Sequence, residues 1–300
     1  MAHSHHTHET TGKRLLFTML LNFVITIAEI IGGILSGSLS LISDALHNFS
    51  DGISIIISYG AIKLKGKEYS QKHTFGFKRA EILAAVINSS VLVIVCFYLF
   101  YEAVIRIQNP EPIKGMLMTV VAAIGLTANV LGTLLLKRDA ENSMNIRSSY
   151  LHLLSDAVSS VAVIIGGLAI LFWNIYWLDP VLTILIGLYI LKESFHILME
   201  ATHVLMEGTP PGISIEEIQK EVEQIEGVED IHHVHLWMVG ENDVHLEAHI
   251  NVPDMMISKS NELREKVENI LKEKFGISHI TLQFECNQCE DVGLVINGKH

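Results

Sequence analysis

Charge is scarce in this 300-residue chain. Asp, Glu, Lys and Arg make up 18% of it, against 49% hydrophobic residues. With a mean hydropathy of +0.38, that balance excludes an ordinary soluble protein. Cysteine is scarcer still. Three in so long a chain give no disulfide framework. Two of them, Cys286 and Cys289, form a CxxC, which in a reducing compartment points to metal or redox chemistry. Positive charge is outnumbered 21 to 33, a net charge of −12 that argues against a nucleic-acid partner. No cleavable signal peptide is evident, because the first apolar run is long enough to be a membrane span itself. No HExxH is present, which weighs against a zinc hydrolase of that kind.

What is abundant is histidine, 16 residues in all, and apolar sequence over the first 200 positions. A spanning helix needs about 20 largely apolar residues. Six such runs are expected, near 15–35, 39–62, 82–105, 115–136, 149–173 and 176–199. The sixth is the weakest, since Asp179 and Lys192 bracket its apolar core. The longer loops 2–3 and 4–5 are basic, with Lys63, Lys65, Lys67, Lys72, Lys78 and Arg79 in one and Lys137, Arg138 and Arg147 in the other. Lys13 and Arg14 flank the first span on the same side, and the opposite side offers only Arg106 and Lys114. The positive-inside rule then puts both termini in the cytoplasm. The expected organisation is a His-rich tail over 1–14, a six-helix membrane domain over 15–205, a cytosolic domain over 206–291 and a short tail over 292–300.

The cytosolic part reads α-β-β-α-β. "SIEEIQKEVEQIE" (214–226) is an amphipathic helix. "VEDIHHVHLWMV" (228–239) and "DVHLEAHINV" (243–252) alternate like strands, with "GEN" as the hairpin between them. "SKSNELREKVENILKEKF" (258–275) is a second helix with Ser258 or Ser260 as its cap, and "SHITLQFE" (278–285) a third strand. That order suggests a two-layer α+β domain with helices on one sheet face.

"SDALHNFSDG" (43–52) sets His47 and Asp51 four residues apart inside the second span. "YLHLLSDAVSS" (150–160) repeats the spacing in the fifth, with His152 and Asp156. Residues four apart share one helix face. Two antiparallel helices side by side then bring His47 near Asp156 and Asp51 near His152. One Asp at a helix centre costs about 2.5–3.5 kcal/mol even on the milder insertion scale. Two imidazoles and two carboxylates converging on one point suit tetrahedral Zn²⁺, and the two carboxylates neutralise a divalent ion. The bland alternative, in which each pair only helps its helices pack, is hard to sustain for two copies in two spans. Asp44 is a candidate partner behind His47. Glu29, Asn22, Asn88 and Asn129 either line the same cavity or, the simpler reading, bond between helices.

With "LSLISDALHNFSD", "HTFGFKRAEILAAVIN", "YLHLLSDAVSSV", "HVLMEGTP" and "IHHVHLW", the chain from about residue 13 to 285 resembles the cation diffusion facilitators. The resemblance implies a homodimer in the lipid bilayer, with six spans per protomer and a cytosolic ferredoxin-like domain. It also implies export of divalent metal from the cytoplasm in exchange for protons, and no enzyme activity. His47, Asp51, His152 and Asp156 match the family's transport site, where His at the first position goes with Zn²⁺ over Cd²⁺. His232, His249 and Glu285, followed by Cys286 and Cys289, fall at or beside cytosolic metal positions, so a regulatory Zn²⁺ site is expected there. Gln283 stands where some relatives have His, and His233, His235, His245 and His279 are possible substitutes. "SQKHTFGF" (70–77) keeps only His73 of a further loop site, opposite Ser70 and Phe77, so no full site is expected in that loop. "HSHHTH" (3–8) resembles short His-rich segments that deliver or sense metal.

Overall fold

The computed structural model describes residues 4–65, 70–137, 144–240, 243–286 and 293–294; the side chains of 4–19, 54–55, 58–59, 61–65 and 144–149 fall outside that description. The chain divides into two compact units, one of Met1–Tyr59 with Ile87–Leu198 and the other of Gly60–Val86 with Met199–His300.

Six long helices come first: α1 (Ser4–Ser36), α2 (Leu39–Lys65), α3 (Ala80–Gln108), α4 (Gly115–Leu136), α5 (Met144–Trp173) and α6 (Leu178–Leu205). Among the described residues, α3, α4, α5 from Tyr150 and α6 are long and apolar enough to cross a membrane, with mean hydropathies from 1.7 to 2.5. Over its described side chains, α1 offers a shorter apolar stretch, Leu20–Ser36. Large apolar side chains such as Leu20, Ile94, Phe97, Tyr101, Val158 and Phe172 point outward and are exposed. In a membrane protein that is the lipid-facing surface. The buried side is rich in small residues. A Cβ at Gly115 of α4 would come within 2.7 Å of the Gly167 carbonyl of α5, so glycine sets how closely these helices approach.

The corner between α1 and α2 explains the bracketed sixth span. Gly37 ends α1 with φ +79°, a left-handed position that glycine takes without strain. Asp179, fully buried in the first turn of α6, accepts hydrogen bonds from the Ser38 and Ser40 hydroxyls, both at 2.6 Å, and from the Leu39 and Ser40 N–H groups at 2.8 and 3.2 Å. It caps the N-terminus of α2 from another helix. Arg106 of α3 donates to the Gly37 carbonyl at 2.5 Å, and the Lys114 N–H to that of Ser36 at 2.9 Å.

The second unit contains α7 (Ile215–Glu223), β1 (Asp230–Gly240), β2 (Asp243–Asn251), α8 (Ile257–Phe275) and β3 (His279–Glu285). The sheet order is β1-β2-β3, with β1–β2 antiparallel and β2–β3 parallel. This is the expected α+β domain. Alternate residues Leu246, Ala248 and Ile250 of β2 meet Ile218 and Val222 of α7 and Leu263, Val267 and Leu271 of α8 in one core. Ser214 caps α7, accepting the Glu217 N–H at 3.2 Å. The cap of α8 corrects the sequence reading. The helix starts at Ile257 after Met256, with no side-chain cap, and Ser260 instead bonds the Ile257 carbonyl inside the first turn.

Asp179→Ala leaves two hydroxyls and two N–H groups without their acceptor. Each such buried loss costs about 1–3 kcal/mol. The melting temperature of the detergent-purified protein is expected to fall by several degrees in a thermal-shift assay. An unchanged melting temperature would show that the corner is held without Asp179.

Candidate metal centres

The first centre lies among α2, α5 and α6. Imidazole and carboxylate at i and i+4 face the same way on both α2 and α5. His152 Nε2 lies 3.3 Å from Asp51 Oδ2 and 3.5 Å from Asp156 Oδ2, and His47 Nε2 lies 3.6 Å from Asp51 Oδ2. One ligand atom each from His47, His152 and Asp156 falls within a mutual 4.8 Å. The His47 and His152 rings sit edge to face at 5.8 Å. All four expected residues are therefore brought together, each His as the ninth and each Asp as the thirteenth residue of its helix. Buried oxygens of Asp51 and Asp156 and the Nδ1 of His47 have no hydrogen-bond partner. Two imidazoles and two carboxylates with free lone pairs form a donor set suited to a divalent cation.

Around this set the structure adds links that spacing alone does not give. Ser159 of α5 donates to Asp44 and to the Asp156 carbonyl, tying α2 to α5. Asp44 is thus bonded to the helix opposite rather than to His47. Asn88 donates to Ser50 at 2.7 Å and Asn48 to Glu29 at 3.2 Å, interhelical bonds of the simpler kind. Tyr189 of α6 sets its ring edge-on to His47 at 6.2 Å, a neighbour with no signal in the sequence.

The second centre lies on the face of the sheet opposite the helices, with His232 and Glu285 buried. Strand register puts His232, His249 and Gln283 directly across from one another. Glu285, two residues beyond Gln283, shares their face. His249 Nδ1 is 2.8 Å and His232 Nε2 3.5 Å from the Glu285 carboxylate. Asp230 holds His232 Nδ1 at 2.6 Å, and the Gln283 amide donates to Glu285 at 2.6 Å. Asp230 was visible two residues before His232, since alternate strand residues share a face. Gln283, the expected departure from a ligand, supports the acid instead. His233, at φ +49° in a bulge of β1, meets His235 edge to face and His249 at a tilt. Cys286 is partly buried next to Glu285, whereas Cys289 lies outside the described residues, as do the side chains of 3–8.

His245 and His279 are paired across β2 and β3 in the company of Trp237 and Phe75, away from this set. In the loop, the His73 ring lies on Phe77 at 4.7 Å.

Residues 15–206 match the family model for the cation efflux transmembrane domain, and residues 210–286 match that for the cation efflux protein cytoplasmic domain. The chain belongs to the cation diffusion facilitator family. This makes it an integral membrane protein for metal cation efflux and a transporter rather than an enzyme. It is 37% identical over 289 residues to a "cadmium, cobalt and zinc/H(+)-K(+) antiporter" of Bacillus velezensis, covering 95% of this chain and 92% of the relative. To the zinc transporter ZitB of Pectobacterium atrosepticum it is 37% identical, covering 97% and 91%; to ZitB of Escherichia coli the figures are 33%, 96% and 94%. The metal-bound C-terminal domain of the CzcD transporter from Cupriavidus metallidurans matches 24% of this chain and 99% of its own, at 27% identity and a TM-score of 0.23.

In the cytosolic unit of this transporter, burial, the adjacent His279 ring and Lys78 hold the His245 pKa below its ordinary value of 6.5. The neutral ring is therefore favoured in the folded state. Stability from this site is present above pH 6.5 and declines as the pH falls below it. The His245 ring signal in NMR is expected to titrate below pH 6.5, and Lys78→Ala to move the midpoint upward. A midpoint at or above 6.5 in the intact protein would remove this contribution.

Proposed function

We propose that this transporter exports Zn²⁺ from the cytoplasm in exchange for protons, through His47, Asp51, His152 and Asp156. The observation that carries the reading is the convergence of these four side chains from α2 and α5 within the helix bundle. The relatives named as zinc transporters and as a zinc/H(+)-K(+) antiporter support the cargo and the coupling. The helix series and the basic loops 2–3 and 4–5 support a reading of six spans with both termini in the cytoplasm. The cell membrane is the proposed location, and a homodimer the working form.

Each group has a role. Asp51 and Asp156 bring two negative charges, so the loaded site is close to neutral in a medium that penalises net charge. His47 and His152 supply the nitrogens that favour zinc, each through a deprotonated ring atom. Protons compete for the same atoms, because metal affinity requires them free. An imidazole with an ordinary pKa of about 6.5 lets a modest pH difference shift that competition. In an inward-open arrangement the site fills with cytosolic Zn²⁺. Rearrangement of the helices then opens it outward, and protonation of the ligands releases the ion and resets them. On the sheet, His232, His249 and Glu285, with Cys286 and Cys289 close in sequence, form a cytosolic Zn²⁺ site that senses metal and favours the assembled dimer.

In proteoliposomes carrying a zinc-sensitive dye, a pH gradient is expected to drive Zn²⁺ flux. Asp51→Ala or Asp156→Ala is expected to reduce it more than about 100-fold, the upper end of what loss of an outer-shell partner costs. Flux that survives both substitutions would make the two His–Asp pairs packing devices. Flux indifferent to the gradient would remove the proton coupling, and flux of Cd²⁺ or Co²⁺ alone would reassign the cargo. His232→Ala and Glu285→Ala are each expected to lower the bound zinc of the full-length protein without abolishing flux, as read by metal analysis after dialysis. Unchanged metal content would dismiss the cytosolic site.

A further inference from the structure

Glu29 sits in α1 with no exposed surface. Asn48 of α2 donates a hydrogen bond to its Oε2 at 3.2 Å, and its other oxygen, Oε1, is buried without a hydrogen-bond partner. From α4 the facing position is Gly125, where any side chain would collide with Oε1. The charged groups acting on Glu29 are Asp44 of α2 and Asp156 of α5, both carboxylates. No basic side chain pairs with it among the described residues. The same interior holds further unpartnered polar atoms, Asn22 Oδ1 two turns earlier on α1 and Asn129 Nδ2 one turn beyond Gly125 on α4.

Charge is costly on a carboxyl group that is dry, has one oxygen without a partner and faces no base, so a proton there relieves it. Its single partner, Asn48, is the chain neighbour of His47. The state of Glu29 is thereby tied to the helix that carries half of the metal-facing set. A divalent ion among His47, Asp51, His152 and Asp156 would supply the positive charge this interior lacks, and so favour loss of the Glu29 proton. By reciprocity, a proton on Glu29 disfavours the ion.

We propose that Glu29 is a proton-carrying residue of the exchange, distinct from the four metal-facing side chains. It gives one proton from its carboxyl group to water when the metal binds and regains one when the metal leaves. The inference rests on the proton-exchange reading above.

The test is a proton count on the purified full-length protein in weakly buffered detergent. Zn²⁺ is added, and proton release and bound zinc are read together. E29Q is expected to bind zinc and to release about one proton fewer per zinc than wild type. Equal release with zinc binding intact would overturn the proposal. Wild type that releases no protons, with flux indifferent to a pH gradient, would instead overturn the exchange reading itself. A second measurement needs no folded variant. In the zinc-induced infrared difference spectrum of protein labelled with ¹³C-glutamate, a protonated glutamic acid carbonyl band is expected to disappear. A folded wild type that binds zinc with no such loss would also overturn the proposal.

Discussion

The interaction on which the membrane unit depends is the grip of Asp179 on the start of α2. A helix N-terminus leaves unsatisfied N–H groups, and in a bilayer no water offers to take them. Here a single carboxylate takes two of them and two hydroxyls besides, and the partial positive charge of the helix end balances its own. Both liabilities, a charge and an open helix end, cancel in one contact. The contact also fixes the height of α2 against α6. His47 and Asp51 lie nine and thirteen residues beyond Ser38, so at about 1.5 Å per residue their depth follows from where Asp179 holds Ser38.

Depth alone would not make a metal site. The ligands must also approach closely, and this depends on what is absent from the helix faces. Gly115 and Gly167 let α4 lie on α5, while Gly125 leaves the notch that Glu29 fills on α1. Without a hydrophobic drive between helices in lipid, such close packing and the interhelical bonds supply the association. Asp44–Ser159 and Ser50–Asn88 then tie α2 to α5 and α3. The bundle interior is polar, and the bundle is held together largely by these polar groups.

Local spacing carried much of this into the sequence. The i, i+4 pairs of α2 and α5 were legible because one helical turn is a rule of geometry, and the strands of the cytosolic unit because alternation is another. What stayed hidden depends on partners far along the chain. Asp179 looked like a blemish in the sixth span, because its partners lie about 140 residues away. Glu29 read as a residue that lines the cavity or bonds between helices, and only the packing of α1 on α2 gives it Asn48 as its partner. The start of α8 was misplaced for the opposite reason. Ser258 and Ser260 have the right chemistry for a cap, yet the chain turns into the helix at Met256, and the serines fall inside it.

The two candidate metal centres differ in how firmly their residues are held, and that difference fits the two tasks proposed for them. On the sheet, His232 is oriented by Asp230 and Glu285 by Gln283, with contacts of 2.6 Å, on strands whose register is fixed by the ladder. Such outer support preorganises ligands and favours retention of an ion. In the bundle, the four side chains meet at 3.3–3.6 Å, and His47 Nδ1, Asp51 Oδ2 and Asp156 Oδ2 have no second partner to lock them. Ligands held only by one another separate at little cost when their helices move. A site that must release its ion on every cycle gains from that looseness. A site that reports metal gains from rigidity, and the sheet provides it.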